Sequence, residues 1–339
     1  MEKLHFAIIG CGRIAERHAE IINRVGNLIS VCDIKAERAK LFSEKYNCPS
    51  FNDLNSLLNS KEKIDIISIC TPNYLHCEQS ILALNSERHA LCEKPMALSV
   101  DECKKMIDAS KSNDKKLFIV KQNRFNPPIE TLKKLILDGT LGKIIGADVN
   151  CFWNRNEQYY SSSDWKGKKK LDGGTLFTQF SHFIDLVYWL VGDVVKTNAI
   201  GKNFLKKDLI EFEDSGVAIL EFKNGAIGSL SYTVNSFGKN MEGSITIFGE
   251  KGTVKVGGQY LNVLEYQNIE GKKIEGLQES RPANDYGFYQ GSMSNHDKVY
   301  QNVIEVMQGK SEIAANANDG LKTVELIEMI YKSMQENLL

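Results

Sequence analysis

At 339 residues the chain is too long for one small core and suggests two domains. Charged residues at 25% and apolar residues at 42% describe an ordinary soluble globular protein and exclude a disordered or fibrous one. A net charge of −1 argues against non-specific nucleic-acid or membrane binding, and no apolar run reaches the ~20 residues that span a bilayer.

Met1-Glu2-Lys3 leads only into a short apolar strand, Leu4 to Ile9, so no secretory leader is expected. Next come Gly10-Cys11-Gly12-Arg13-Ile14-Ala15 and a helix to Val25, a GxGxxA turn between strand and helix. The first glycine allows the tight turn and the second lets backbone approach a pyrophosphate. The small third residue lets helix pack on strand. The following strand, Leu28 to Cys32, ends at Asp33. A carboxylate there hydrogen-bonds an adenosine ribose 2′-OH and repels a 2′-phosphate, which favours NAD over NADP. Two alternatives stay open: Asp33 as a cap of the next helix, and Lys35 as a group that softens the preference.

Helices are expected near Ala36–Tyr46 and Asp53–Asn59, with a short strand at Pro49–Phe51 between them. Ile64 to Cys70 is a near-continuous apolar strand of the kind buried on both faces, and it ends in Thr71-Pro72-Asn73. His76 lies on the next helix, where packing and a place beside a cofactor are both open readings. His89 to Cys92 is another apolar strand, running into Glu93-Lys94-Pro95. Proline ends it, and Lys94 is held at the carboxyl end of a strand, where open α/β sheets bind ligands. A helix at Val100–Ser112 and a strand at Leu117–Lys121 complete six strands with helices between them, a Rossmann domain over residues 1–122.

The second domain, 123–339, is of another character. A short helix at Ile129–Asp138 leads into alternating strands at Ile144–Asn154, Val194–Asn203, Ser215–Phe222, Ala226–Val234, Gly243–Phe248, Gly252–Val256 and Leu261–Tyr266. Such a run predicts a large, mostly antiparallel open sheet in an α+β domain. Asn224-Gly225 signals a type I′ hairpin, and Gly276 to Met293 reads as an irregular loop. Helices near His296–Met307 and Asp319–Gln335 close the chain. One helix interrupts the strands: Gly173-Gly174-Thr175, then Leu176 to Leu190. Its spacing predicts Thr178, His182 and Asp185 on one face, with Gln179 adjoining. His182 is open to two readings, a satisfied core residue or a functional imidazole. Eight cysteines, none in a CxxC pair, read as small buried hydrophobes of a reduced, cytoplasmic protein, and no metal site is expected.

Together, GxGxxA, Asp33, Thr71-Pro72-Asn73-Tyr74-Leu75-His76, Glu93-Lys94-Pro95 and the Gly173-Gly174 helix with His182 resemble the Gfo/Idh/MocA oxidoreductase family over nearly the whole chain. The resemblance implies a Rossmann domain followed by a domain whose open sheet makes a homodimer or homotetramer. It also implies Lys94 and His182 as the catalytic pair for oxidising or reducing a sugar, inositol or nucleotide-sugar carbinol. Gly10, Gly12, Arg13, Ile14, Asp33, Thr71, Pro72, Asn73, His76, Glu93, Lys94 and Gln122 are then the expected NAD contacts. Lys121-Gln122-Asn123-Arg124-Phe125-Asn126-Pro127-Pro128, Tyr159-Tyr160, Asp164-Trp165-Lys166-Gly167 and Ser294-Asn295-His296-Asp297-Lys298-Val299 are similar, more narrowly, to the branch that oxidises C3 of UDP-N-acetylglucosaminuronic acid or UDP-N-acetylglucosamine. Many members carry aspartate four residues before the histidine. Here that position is Thr178, which leaves Gln179 or Asp185 to orient the imidazole.

A UDP-sugar brings a diphosphate and a uronate brings a carboxylate. Arg155 and Lys166 lie beside aromatic residues and suit such anions, whereas Lys168, Lys169 and Lys170 read as a solvated face. Tyr160, Trp165 and Tyr286 are candidates to stack on uracil or sugar. With Lys94, Thr178, Gln179 and His182 they make the expected substrate site. His182 is the expected base and Lys94 the alkoxide stabiliser, with the exchanged roles also open. Two rival functions remain: a dehydrogenase of free sugars or inositols, and a non-catalytic NAD-binding regulator on the same fold.

Overall fold

The structure, a computed structural model, describes residues 3–337. It divides into two compact units: residues up to Val120 with His296–Val324, and Lys121–Asn295 with the chain from Glu325 on. Segment 296–324 clusters with the first unit, whereas the sequence alone suggests a single boundary after residue 122.

In the first unit, strands β1 (His5–Ile9), β2 (Asn27–Cys32), β3 (Ser50–Phe51), β4 (Ile66–Ile69), β5 (His89–Cys92) and β6 (Leu117–Ile119) form one sheet in the order β3-β2-β1-β4-β5-β6. Every pairing is parallel. The reason is in the sequence. β4 and the last four residues of β1 are wholly buried, and only a sheet covered on both faces accommodates such runs. Helices α1 (Arg13–Val25), α2 (Ala36–Tyr46), α3 (Leu54–Leu58), α4 (His76–Asn85) and α5 (Val100–Ser112) provide the crossovers. α5 starts where Ser99 Oγ accepts from the Glu102 N–H, a side-chain cap that satisfies an otherwise orphan donor. Later in the chain, α11 (His296–Met307) returns to this unit. Its Tyr300 hydroxyl bonds His18 Nδ1 of α1 at 2.8 Å, and its ring meets Phe6 of β1 edge-on.

The second unit begins with α6 (Pro127–Leu137), opened by prolines that lose no helical hydrogen bond there. Its sheet orders β7 (Ile144–Phe152), β8 (Val194–Lys202), β9 (Ser215–Phe222), β10 (Ile227–Thr233), β11 (Glu242–Gly249), β12 (Gly252–Gly257) and β13 (Val263–Ile269) as β13-β12-β11-β7-β10-β9-β8. All neighbours are antiparallel except β7 and β10. Short helices α7 (Glu157–Ser161), α8 (Lys169–Asp172) and α9 (Thr175–Thr178) precede α10 (Ser181–Val191). Trp153, Phe180, Phe183 and Tyr232 pack their rings together as a buried aromatic core. On β9, Gly216, Ala218, Leu220 and Phe222 are buried, while Val217 and Ile219 are exposed, so both faces of this strand are apolar.

Three local expectations are corrected. The β9–β10 hairpin exists, but Gly225 has φ +87° while Asn224 is not in the left-handed region, so the turn is not type I′. The Gly225 N–H donates to the Phe222 carbonyl, placing Lys223 and Asn224 at the tip. Residues 276–293 include a small ribbon, β14 (Ala283–Asp285) against β15 (Gln290–Met293). The helix expected over Leu176–Leu190 breaks at Gln179–Phe180 into α9 and α10. The long C-terminal helix is α12 (Ala317–Glu336). Among the described residues no helix is long and apolar enough to cross a membrane, and all eight cysteines are buried free thiols.

Candidate active site

The first unit carries a dinucleotide cradle. Gly10 follows β1 with φ +86°, and a Cβ there would lie 2.8 Å from the Cys70 carbonyl oxygen, so only glycine fits the turn. Gly12 is the N-cap of α1 and lacks a side-chain cap, leaving the helix's first N–H groups facing outward. A Cβ on Gly12 would meet nothing, so the space over the helix N-terminus is open to a pyrophosphate. Arg13 is exposed, Ile14 is half-buried and Ala15 is enclosed against the sheet. Asp33 is held by two backbone donors, with Cys11 N–H on Oδ2 and Lys35 N–H on Oδ1, each at 2.8 Å. Each carboxylate oxygen accepts more than one hydrogen bond, so this clamp fixes the group and leaves capacity for ribose hydroxyls. These features fit NAD.

At the neighbouring strand ends, Thr71 and Pro72 are half-buried and Asn73 is buried. His76 is enclosed, its Nδ1 2.6 Å from the Pro95 carbonyl and its Nε2 2.9 Å from the Thr71 carbonyl. Burial lowers its pKa, and a neutral ring donates to one carbonyl at a time. His76 thus ties the Thr71 turn to the Glu93-Lys94-Pro95 corner. Glu93 turns inward: Oε1 accepts from His18 Nε2 at 2.9 Å and lies 3.4 Å from His296 Nε2, while Oε2 accepts from the Lys94 N–H at 3.1 Å. Burial acts to raise the Glu93 pKa, but the two histidines prevail and hold it well below the usual range. His18, Glu93 and His296 bring ligand-type atoms within 4.8 Å of one another, a spacing that suits a metal ion, although a direct hydrogen bond already joins the first two. Lys94 is half-buried after a cis peptide to Pro95.

In the second unit, His182 stands in the first turn of α10, 2% exposed. Its Nε2 lies 3.1 Å from Gln122 Nε2, and whichever end of that amide faces the ring, Gln122 fixes its plane. Gln122, an expected cofactor contact, thus bonds the imidazole. Asp185, one turn along, is committed elsewhere. Arg124 grips it through Nε and Nη2 at 2.8 Å each, and Lys121 Nζ lies 3.3 Å away. Burial would raise the Asp185 pKa, but Arg124 and then Lys121 reverse that and hold it at about 2.

Thr178 is not on the His182 face, because the helix breaks between them. Its hydroxyl donates to the carbonyl and the carboxylate of Asp172. Behind this corner, Gly174 has φ +136°, and a Cβ there would fall 2.2 Å from Tyr331 Oη. Tyr331, on α12, accepts from the Leu176 N–H and donates to Glu213, which also accepts from Tyr232. Burial raises the Glu213 pKa to about 7.

Gln179 joins Arg155 to Tyr159: its Oε1 accepts from Arg155 Nε at 2.5 Å, and its Nε2 donates to Tyr159 Oη at 2.7 Å. Lys166 Nζ lies 4.0 Å from the Tyr159 ring centre, and Tyr286 stacks on Tyr289 at 4.9 Å. Trp165 is half-buried, and Lys168, Lys169 and Lys170 are exposed, as a solvated run should be. Tyr160 is a correction: it is buried with Tyr159 and Ile210 and offers no open stacking face. Sequence reasoning missed Trp153, Asn240 and Tyr289, which enclose Arg155 from distant segments and carry no local motif.

Residues 4–121 match the family described as the GFO_IDH_MocA oxidoreductase family with NAD-binding Rossmann fold, and residues 133–338 its C-terminal alpha/beta domain. Among solved structures, the WlbA dehydrogenase from Chromobacterium violaceum, in complex with NADH and UDP-GlcNAcA, is 33% identical with a TM-score of 0.90, covering 99% of this chain and 95% of that one. WlbA from Bordetella pertussis, with the same two ligands, is 34% identical with a TM-score of 0.89, covering 99% and 98%. The D-glucoside 3-dehydrogenase of Escherichia coli K12 is 26% identical over 350 residues, 98% of this chain and 95% of that protein.

Proposed function

Because the chain belongs to the Gfo/Idh/MocA oxidoreductase family and has an NAD-binding Rossmann domain, we propose that it oxidises the C3 hydroxyl of a UDP-linked N-acetylhexosamine derivative to the ketone, with the C6 uronate preferred over the C6 alcohol. The observation that carries this reading is full-length similarity, at 33–34% identity, to two dehydrogenases that hold NADH and UDP-GlcNAcA. A 3-dehydrogenase of D-glucosides, similar over nearly the whole chain, supports the C3 position. NAD, when bound, accepts the hydride from C3. His182, held by Gln122, takes the hydroxyl proton, and a neutral imidazole does this near pH 7. Lys94 is the second member of the proposed pair, a cation suited to stabilising the charge of a developing alkoxide. Thr178 stands outside the relay, its hydroxyl spent on Asp172.

The test offers UDP-N-acetylglucosaminuronate, UDP-N-acetylglucosamine, free N-acetylglucosamine and myo-inositol, and follows NADH formation. An aminotransferase that consumes the 3-keto product is coupled to draw an unfavourable equilibrium forward. NADH from the UDP-sugars is expected, most from the uronate. Turnover of the free polyols alone would end the nucleotide-sugar reading, and turnover of the C6 alcohol alone would end the uronate part.

The same reading makes the protein a homodimer or homotetramer through the outer face of the β8–β9–β10 sheet edge. Ile200 and Val217 sit opposite each other in register and are 60% and 52% exposed, and Ile219 and Ile227 extend the patch at 57% and 65%. An apolar strand face of this kind is usually covered. Light scattering should give a multiple of the chain mass, and a monomer at micromolar concentration would refute it.

A further inference from the structure

Arg155 is 2% exposed, yet among the described residues no carboxylate contacts its guanidinium. Nε donates to Gln179, and Nη1 donates to the Asn154 carbonyl at 2.6 Å and to Asn240 Oδ1 at 3.2 Å. The rings of Trp153, Tyr159 and Tyr289 flank the group at 4.9, 5.3 and 5.2 Å. Every one of these partners is neutral. Nη2 donates to none of them, and it is not sealed from solvent. A guanidinium keeps its proton across the whole working pH range, so its burial without an anion is costly. Arg124 makes the contrast. It is equally buried, in the same unit, and is neutralised by both oxygens of Asp185.

We propose that Arg155 receives one carboxylate of the substrate on Nη2 and so reads the uronate group of the hexose. This rests on the sugar-oxidation reading above and names the residue that sets its C6 preference. A carboxylate is a monoanion that one guanidinium can pair with bidentately, and Lys166, over the Tyr159 and Tyr289 rings at 4.0 and 5.8 Å, is a second cation on the same aromatic wall. The site also lies close to the chemistry along the chain. Gln179, bonded to Arg155, is three residues before His182, a span of roughly 10 Å at most. A C6 alcohol in this place would cover the open edge of the guanidinium and leave its charge unanswered. A buried polar group left unpaired is the strongest form of substrate rejection a site has.

The experiment uses the full chain with NAD and measures kcat/KM for UDP-N-acetylglucosaminuronate and UDP-N-acetylglucosamine, before and after Arg155→Met. The unaltered protein should favour the acid by about 100-fold or more. Arg155→Met should lose a similar factor on the acid and far less on the alcohol, so that the preference disappears. An equal loss on both, with the preference kept, overturns the proposal, since Arg155 would then serve the diphosphate or the fold alone. If Arg155→Met does not fold, the unaltered protein decides, using the neutral C6 methyl ester of the acid. An ester bound as tightly as the acid overturns the proposal. The same acid-to-alcohol comparison is run on free N-acetylglucosaminuronate and N-acetylglucosamine. Turnover confined to that pair would defeat the nucleotide part of the reading above, while its ratio would still judge Arg155.

Discussion

His182→Ala is expected to lower turnover by ~10²–10⁴-fold, the range that a positioned general base supplies, and Lys94→Ala by a comparable factor through lost charge stabilisation. The glycine turn and the Asp33 clamp, which hold most of the cofactor, contain neither residue, so NAD affinity should change far less than turnover, and least of all in His182→Ala. Steady-state rates with a coupled assay, set beside NADH binding followed by fluorescence, separate the two effects. Thr178→Ala is the control. Its hydroxyl serves Asp172, so the rate should fall far less. A Thr178→Ala variant as damaged as His182→Ala would place the threonine in the proton path and refute the assignment.

The second large effect is on stability. Asp185→Ala would leave Arg124 and Lys121 buried without their anion, which costs about 3–5 kcal/mol. Whole domains are stable by roughly 5–15 kcal/mol, so a large shift of the urea midpoint is expected. The pH dependence has a definite sign. The folded Asp185 pKa, about 2, lies below its ordinary 3.8, so the stabilisation is complete above the unfolded value and fades as pH falls through about 2. Acid unfolding should therefore be shallower in Asp185→Ala than in the unaltered protein. An unchanged urea midpoint would show that the triad contributes nothing net.

What could be read from the chain was local. Gly10, Gly12 and Asp33 fall within one strand–turn–helix–strand unit, and their spacing alone specifies a backbone that Cys11 and Lys35 then lock. Lys94 was legible because proline marks the strand end. Around Arg155 the deciding contacts come from far along the chain. Arg155 is enclosed by Asn240, 85 residues away, and by Tyr289 further on, so no window of sequence shows that its charge is unanswered. The break at Gln179–Phe180 has no glycine or proline to announce it, and helical periodicity runs straight through. The β9–β10 hairpin is where Asn224-Gly225 predicts it, but Asn224 stays out of the left-handed conformation that type I′ needs.

The phenol of Tyr331 occupies the space that any side chain at Gly174 would need, and its oxygen holds the Leu176 N–H. The turn that leads to the helix carrying His182 is thus braced by a residue of α12. A truncation that removed Tyr331 would spare the whole dinucleotide cradle and still remove this brace. Such a truncated protein is expected to keep NAD binding and lose turnover, so that its defect would look like an active-site lesion.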